Sequence, residues 1–483
     1  HSIYIPAKDL EEVNSELEAS FSGVGIQFSI QSDTIHVNSV VPGGPSEKVG
    51  LMGGDRIVKV NDSLFVGKEL TNERAMRALK GPKGTEVKVS IKRATEKDLL
   101  DFVIVRGDIP QHSINASYML DKDFGYIQIS KFGRTTHLEM ISALAELSHY
   151  NCKGVIIDLR DNTGGFMESA IHMVNEFLPA NQLIVYTEGR NFPSMREYAD
   201  GTGSFQQLPI VVLVNENSAS ASEVLCGALK DYKKAAIVGE KTYGKGVVQT
   251  LYPLSDGSGI KLTTAKYYTP SGRCIQAINY TQKEGEKSDI IPDSLTTEFK
   301  TKGGRTVRDG RGITPDVKYT HKNDADSISR AYLCYELILQ NVCFDYATEF
   351  KLKNPSISSV KDFAITDSIY EDFKKFAISK DFKYENLSTK KLKDLIEIIK
   401  KENAYEENKE ILDSLESRLK HNTETELEKF RTDVSELLSA EIVKRYYFSK
   451  GEAEQILKTD EILQLSIEIL NDPKRYNEIL KGK

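Results

Sequence analysis

The chain has 483 residues, 64 basic and 71 acidic side chains for a net charge of -7, and 39% hydrophobic against 28% charged residues. At about 150 residues per domain this length calls for several cores, and the composition is that of folded globular chains rather than disordered ones. No run approaches the roughly 20 apolar residues of a membrane-spanning helix, and the mild acidity lacks the Lys/Arg excess that neutralises phosphates. A helical membrane protein and a general nucleic-acid binder are therefore set aside. Cys152, Cys226, Cys274, Cys334 and Cys343 are scattered, without a C-x-x-C pair or a zinc-like Cys/His spacing, so isolated thiols and no metal site are expected.

In chain order, residues 1–22 include a short polar helix from Ala7 to about Ala19. Residues 23–110 carry short β-rich runs, Gly25 to Ile30, Ile35 to Val41, Asp55 to Val60 and Glu86 to Lys92, with a helix near Asn72 to Leu79. Residues 111–320 alternate apolar strands with helices: Gly125 to Ile129, a helix His137 to Leu147, Gly154 to Leu159, and a helix Met167 to Phe177. Then come Ile210 to Val214, a helix to about Lys230, and Ala235 to Val238. That alternation predicts a layered α/β core. Residues 321–483 are poor in Gly and Pro, rich in Lys, Glu, Leu and Ile, and apolar at three- and four-residue steps, which predicts a helical region.

Within 23–110, Gly23-Val24-Gly25-Ile26 opens a strand, and Val40-Val41-Pro42-Gly43-Gly44-Pro45 follows the next. Gly53-Gly54-Asp55-Arg56-Ile57-Val58-Lys59-Val60-Asn61 completes the set. This order resembles a PDZ domain. A glycine loop exposes N–H groups to a carboxylate, and the edge strand beyond it accepts an extended peptide as an added strand. The resemblance implies that Gly23, Val24, Gly25 and Ile26 begin a peptide-binding groove completed by the helix near Asn72.

The chemistry lies further on. Val211-Val212-Leu213-Val214 runs into Asn215-Glu216-Asn217-Ser218-Ala219-Ser220-Ala221-Ser222-Glu223, a strand entering a small-residue turn before a helix. A side chain there stands at a helix N-terminus, where N–H groups favour developing negative charge. Ser220 to Glu223 also fits a capping box, so the stretch alone leaves Ser220 as either cap or nucleophile. Gly239-Glu240-Lys241-Thr242-Tyr243-Gly244-Lys245-Gly246-Val247-Val248-Gln249 then offers a lysine between glycines. A serine needs an adjacent base, and a lysine serves when its amine is neutral, so Lys245 is expected in a dry pocket.

Together these segments resemble the C-terminal processing peptidases (tail-specific proteases), Ser/Lys serine peptidases. The match continues through Asp158-Leu159-Arg160-Asp161-Asn162-Thr163-Gly164-Gly165, Tyr268-Thr269-Pro270-Ser271-Gly272-Arg273 and Gly312-Ile313-Thr314-Pro315-Asp316-Val317, over about residues 1–320. The resemblance implies a ClpP/crotonase-like layered core with an inserted PDZ domain, without metal or other cofactor. It implies Ser220 as nucleophile, Lys245 as base and Gln249 as the group orienting it, with an oxyanion hole from Ala221 and either Gly164 or Gly165. Thr163 replaces a common proline and Cys274 a common serine; neither change removes a catalytic side chain.

The resemblance also implies protein substrates with unstructured C-terminal tails, a periplasmic or envelope location, and homo-oligomers through helical regions. Because His1-Ser2 falls inside a family-like segment, a longer precursor is expected. His36, His112, His137, His149, His172, His321 and His421 all lie outside the catalytic segments, and His172 is the leading candidate if a histidine were the base. A non-catalytic ligand-binding protein or PDZ scaffold on the same fold is the alternative.

Overall fold

A computed structural model describes residues 2–7, 10, 20–31, 33–93, 95–110, 112–278, 291–319, 326–382, 384–419 and 422–482. The helix expected from Ala7 to about Ala19 lies almost wholly outside them. The chain packs as two compact units: His1–Phe21, Pro110–Thr320 and Thr459–Lys483 form one, Ser22–Ile109 and His321–Lys458 the other.

The first unit is built on a six-stranded sheet ordered Ile114–Met119, Phe124–Ile129, Gly154–Asp158, Ile210–Val214, Ala235–Gly239 and Val317–Lys318. All pairings are parallel except the first. Ile210-Val211-Val212-Leu213-Val214 is buried at every position, as a central parallel strand covered on both faces must be. On one face Ile127, Ile157, Val212 and Ile237 join Leu144, Val174 and Leu225 from the helices Thr136–His149, Met167–Asn175 and Ala221–Asp231. The helices Glu461–Asn471 and Pro473–Leu480 pack on the sheet as well. The Tyr476 hydroxyl accepts from Ile210 N at 2.9 Å and donates to Ile210 O at 3.0 Å.

A second sheet orders Ile3–Ile5, Gly259–Tyr268, Leu183–Gly189 and Phe192–Tyr198, with Val247–Pro253 paired antiparallel to Gly259–Tyr268. None of its strands stands among the sequence expectations. Lys261, Thr263, Thr264 and Lys266 interrupt the apolar residues of Gly259–Tyr268, and six of seven residues in Phe192–Tyr198 are exposed, so neither carries a continuous apolar run.

In the second unit, residues 23–110 form a sheet ordered Ile26–Gln31, Thr34–Val40, Arg56–Val60, Glu86–Lys92 and Leu100–Val105, with Ser63–Leu64 paired to Arg56–Val60. The expected helix is present at Asn72–Leu79, its first turn closed by Thr71 Oγ1 accepting from Arg74 N. The expected C-terminal helical region runs from Ser327–Leu339 through Arg431–Leu457, interrupted at Phe448 by a φ of 55°. No helix among the described residues is long and apolar enough to cross a membrane.

Candidate active site

The buried Ile210–Val214 strand delivers the chain into the Asn215–Ala219 turn. Ser218 fixes that turn, its hydroxyl donating to Leu159 O at 2.8 Å and accepting from Asn215 N at 3.0 Å. The Asp158–Gly165 loop is tied to the same turn: Ala219 N and the Ser222 hydroxyl both donate to Asn162 O, at 3.0 and 2.9 Å. Ser220 follows with φ 57° and ψ -114°, a conformation that favours glycine and costs a non-glycine residue about 1–3 kcal/mol. The surroundings hold it there. Ser220 N donates to Glu223 Oε2 at 2.9 Å, and Ser220 O accepts from the Tyr267 hydroxyl at 3.2 Å and from Glu223 N at 2.8 Å. The helix it heads, Ala221–Asp231, is buried along all 11 residues.

Lys245 lies in the loop between Ala235–Gly239 and Val247–Pro253, and the glycines on either side of it allow close backbone approach. A Cβ on Gly244 would come within 2.4 Å of Ala277 Cβ, and one on Gly246 within 2.7 Å of Gln276 N. The Lys245 amine is half-buried, and burial holds its pKa below the ordinary lysine value. The nearby Lys261 charge adds to that lowering, and the Glu223 charge opposes it.

Glu223 joins the two segments. Its fully buried carboxylate accepts from Ser220 N, from Lys245 N at 2.9 Å, from Gly244 N at 2.8 Å and from the Thr242 hydroxyl at 2.6 Å. Burial pushes its carboxyl above the usual carboxylate range, against the pull of those donors. Sequence reasoning gave Glu223 only half of a capping box. That contact exists, but nothing local announced the bonds to a loop about twenty residues downstream.

Ser220, Ala221, Lys245, Gln249, Gly164 and Gly165 all line one cleft of about 730 Å³. The two glycines differ. Gly164 N donates to Asn162 Oδ1 at 2.9 Å, whereas neither Gly165 N nor Ala221 N makes a hydrogen bond among the described residues. Gly165, at φ 145°, has no room for a side chain: a Cβ would lie 2.2 Å from Phe132 O. Thr163 does not leave the loop slack. Asn162, just before it, is fully buried and its amide donates to Ile129 O at 2.7 Å, which anchors the loop.

His172 is exposed on the Met167–Asn175 helix, 5.4 Å from the His137 ring, and does not line the cleft. His137 pairs with Glu176 at 3.0 Å. His36 lies in the second unit, and His321 and His421 fall outside the described residues. All five cysteines are free thiols, and burial raises the pKa of Cys274. Among the described residues no cluster of His, Cys, Asp or Glu could hold a metal ion.

In the PDZ-like sheet Ile26–Gln31 is an edge strand, and Gly25 enters it at φ 76°. The preceding loop is clamped to the Pro-Gly turn. Val24 O accepts from Ser46 N at 3.0 Å and from the Ser46 hydroxyl at 2.7 Å, and Gly25 O accepts from Val41 N at 2.9 Å.

The model for Peptidase family S41 matches residues 123–292, and a carboxy-terminal-processing protease of Bartonella bacilliformis is 33% identical over 69% of this chain and 75% of its own length. The chain belongs to peptidase family S41. As an S41 member it is a serine peptidase, and the alternative of a non-catalytic binder gives way. The PDZ domain model matches residues 13–92, and the model described as "Probable PDZ-protease, C-terminal helical domain" matches 333–470. A relative from Staphylococcus epidermidis described as "Probable CtpA-like serine protease" is 33% identical over 64% of each chain. Among solved structures, the photosystem II D1 C-terminal processing protease is 26% identical over 66% of this S41 chain and 77% of its own, with a TM-score of 0.37.

Proposed function

We propose that this S41 peptidase cuts proteins near unstructured C-terminal tails with Ser220 as nucleophile and Lys245 as general base. One observation carries this reading: both residues open onto one cleft, and the buried Glu223 carboxylate holds the backbone of each. Neutral Lys245 takes the Ser220 proton as Oγ attacks the peptide carbonyl. The oxyanion is held by Ala221 N–H and by Gly165 N–H, which is preferred to Gly164 because Asn162 already occupies the Gly164 N–H. Protonated Lys245 returns the proton to the leaving amine, and water, deprotonated by the same lysine, releases the acyl-enzyme. Gln249, on the cleft wall, orients the lysine.

In this reading residues 23–110 are the PDZ domain that captures or senses the tail, through Gly23, Val24, Gly25 and Ile26 and along the Ile26–Gln31 edge. Residues 111–320 are the peptidase core, joined in its unit by the helices after residue 459, and the rest of 321–483 is a helical region through which copies associate. Family resemblance supports a periplasmic or cell-envelope location. Cleavage of a protein with an unstructured tail tests the assignment: Ser220→Ala and Lys245→Ala should each lose activity by a factor on the order of 10³ or more. Full activity in either variant would sink it.

A further inference from the structure

The walls of the Ser220 cleft carry three lysines, Lys131, Lys245 and Lys261, and, among the described residues, no aspartate or glutamate. Glu223, behind Lys245, is fully buried and already bonded to four donors, so it offers nothing to a second cation. Lys261 stands half-buried on the Gly259–Tyr268 strand, in register with Leu251, and forms no ion pair among the described residues. In a chain of net charge -7, a cation with no ion-pair partner among the described residues, set in a concave cleft with apolar walls such as Phe132 and Leu251, is a local reversal of sign. Low-dielectric walls focus such a field onto whatever enters.

We infer that Lys261 is a specificity-determining residue, and that the cleft selects peptides carrying a carboxylate a few residues from the scissile bond. This rests on the peptidase reading above. Val247, next but one to Lys245, and Leu251, opposite Lys261, are four steps apart on one strand, about 13 Å at roughly 3.3 Å per residue, so an extended substrate running along that strand covers the same length in about four residues. The carboxylate can come from an Asp or Glu side chain or from the chain terminus. An independent consequence of the same placement is that the Lys261 charge helps to keep Lys245 neutral.

The test is a set of otherwise neutral peptides with Glu or Gln walked along both sides of the cut, C-terminally amidated. A second arm has no acidic side chain and either a free or an amidated terminus. The full-length enzyme, Lys261→Gln and Lys261→Glu are compared by kcat/KM at low and high salt. Within each variant the acidic-to-neutral ratio cancels any change in Lys245 protonation or folding. The expected result is a preference for Glu of roughly fivefold at its best position, screened by salt, lost in Lys261→Gln and reversed in Lys261→Glu. A preference confined to the free-terminus arm would identify the terminal carboxylate as the source. Equal ratios in all three proteins, with cleavage intact, overturn the proposal alone; absence of Ser220-dependent cleavage of every peptide overturns the peptidase reading with it.

Discussion

Glu223 carries the energetic weight of the site without touching the chemistry. Replacing it by Gln keeps the shape but swaps an acceptor for an NH₂ donor among four donors, leaving at least one buried group unpaired. Glu223→Gln should lose about 2–5 kcal/mol of stability and lower kcat more than it raises KM, measured by urea unfolding and steady-state kinetics; unchanged kcat would show that the two segments hold themselves. Gly164 makes a sharper steric test. A Cβ there would sit 2.8 Å from Ser220 Cβ and 2.7 Å from Ala219 O, at a φ of 102°, so Gly164→Ala should cut kcat at least ~100-fold, the scale of a nucleophile displaced by about 1 Å. Near-normal kcat would contradict that geometry. That Ser220 and Lys245 meet at one cleft was legible because each stands directly between two small residues, Ala219 and Ala221 or Gly244 and Gly246. Glu223 was not, because its partners are distant in sequence and a capping box explained it locally.

At the scale of elements, the helices after residue 459 are part of the catalytic unit. Arg160, beside the glycine loop, is held between Asp158 Oδ2 and Asp460 Oδ2, at 2.6 Å each, and Asp460 also caps the Glu461–Asn471 helix through Leu463 N at 2.9 Å. Tyr476 closes the same face by satisfying both backbone groups of Ile210. Tyr476→Phe removes the acceptor for a buried N–H and should cost about 1–3 kcal/mol, read as a lower urea midpoint at unchanged slope; an unchanged midpoint would mean that Ile210 finds another partner. The buried parallel strands were legible from their unbroken apolar runs. The second sheet, which supplies Gln249 and Lys261 to the cleft, was not, since its interspersed Thr, Lys and Gln read as surface until the neighbouring strand is known.

For the whole molecule, the sequence divides visibly into β-rich, α/β and helical stretches because Gly and Pro density and hydrophobic period change at their borders. It does not reveal that the last helices fold back onto the catalytic sheet, since that depends on pairings with no local signature. Stability within the helical stretch should also be uneven. The hairpin Leu387–Lys401 and Tyr405–Leu419 is centred on three buried apolar side chains, Leu392, Ile396 and Leu412, whereas Ser327–Leu339, Val342–Lys353, Asp367–Ser379 and the first part of Arg431–Leu457 share a much larger core. Its amides should exchange with solvent before those of Val342–Lys353 and of the part of Arg431–Leu457 that precedes Phe448, measured by hydrogen exchange; equal protection would require support that this small core does not supply.

The proposed peptidase chemistry requires that Ser220 be acylated with Lys245 as its base. Mass spectrometry of the acyl-enzyme formed with an activated peptide ester, followed across pH, tests it most directly. Acylation is expected on Ser220, at a rate rising through one ionisation below the ordinary lysine value and collapsing in Lys245→Ala. Acylation of another residue, or an unchanged pH profile in Lys245→Ala, would contradict it.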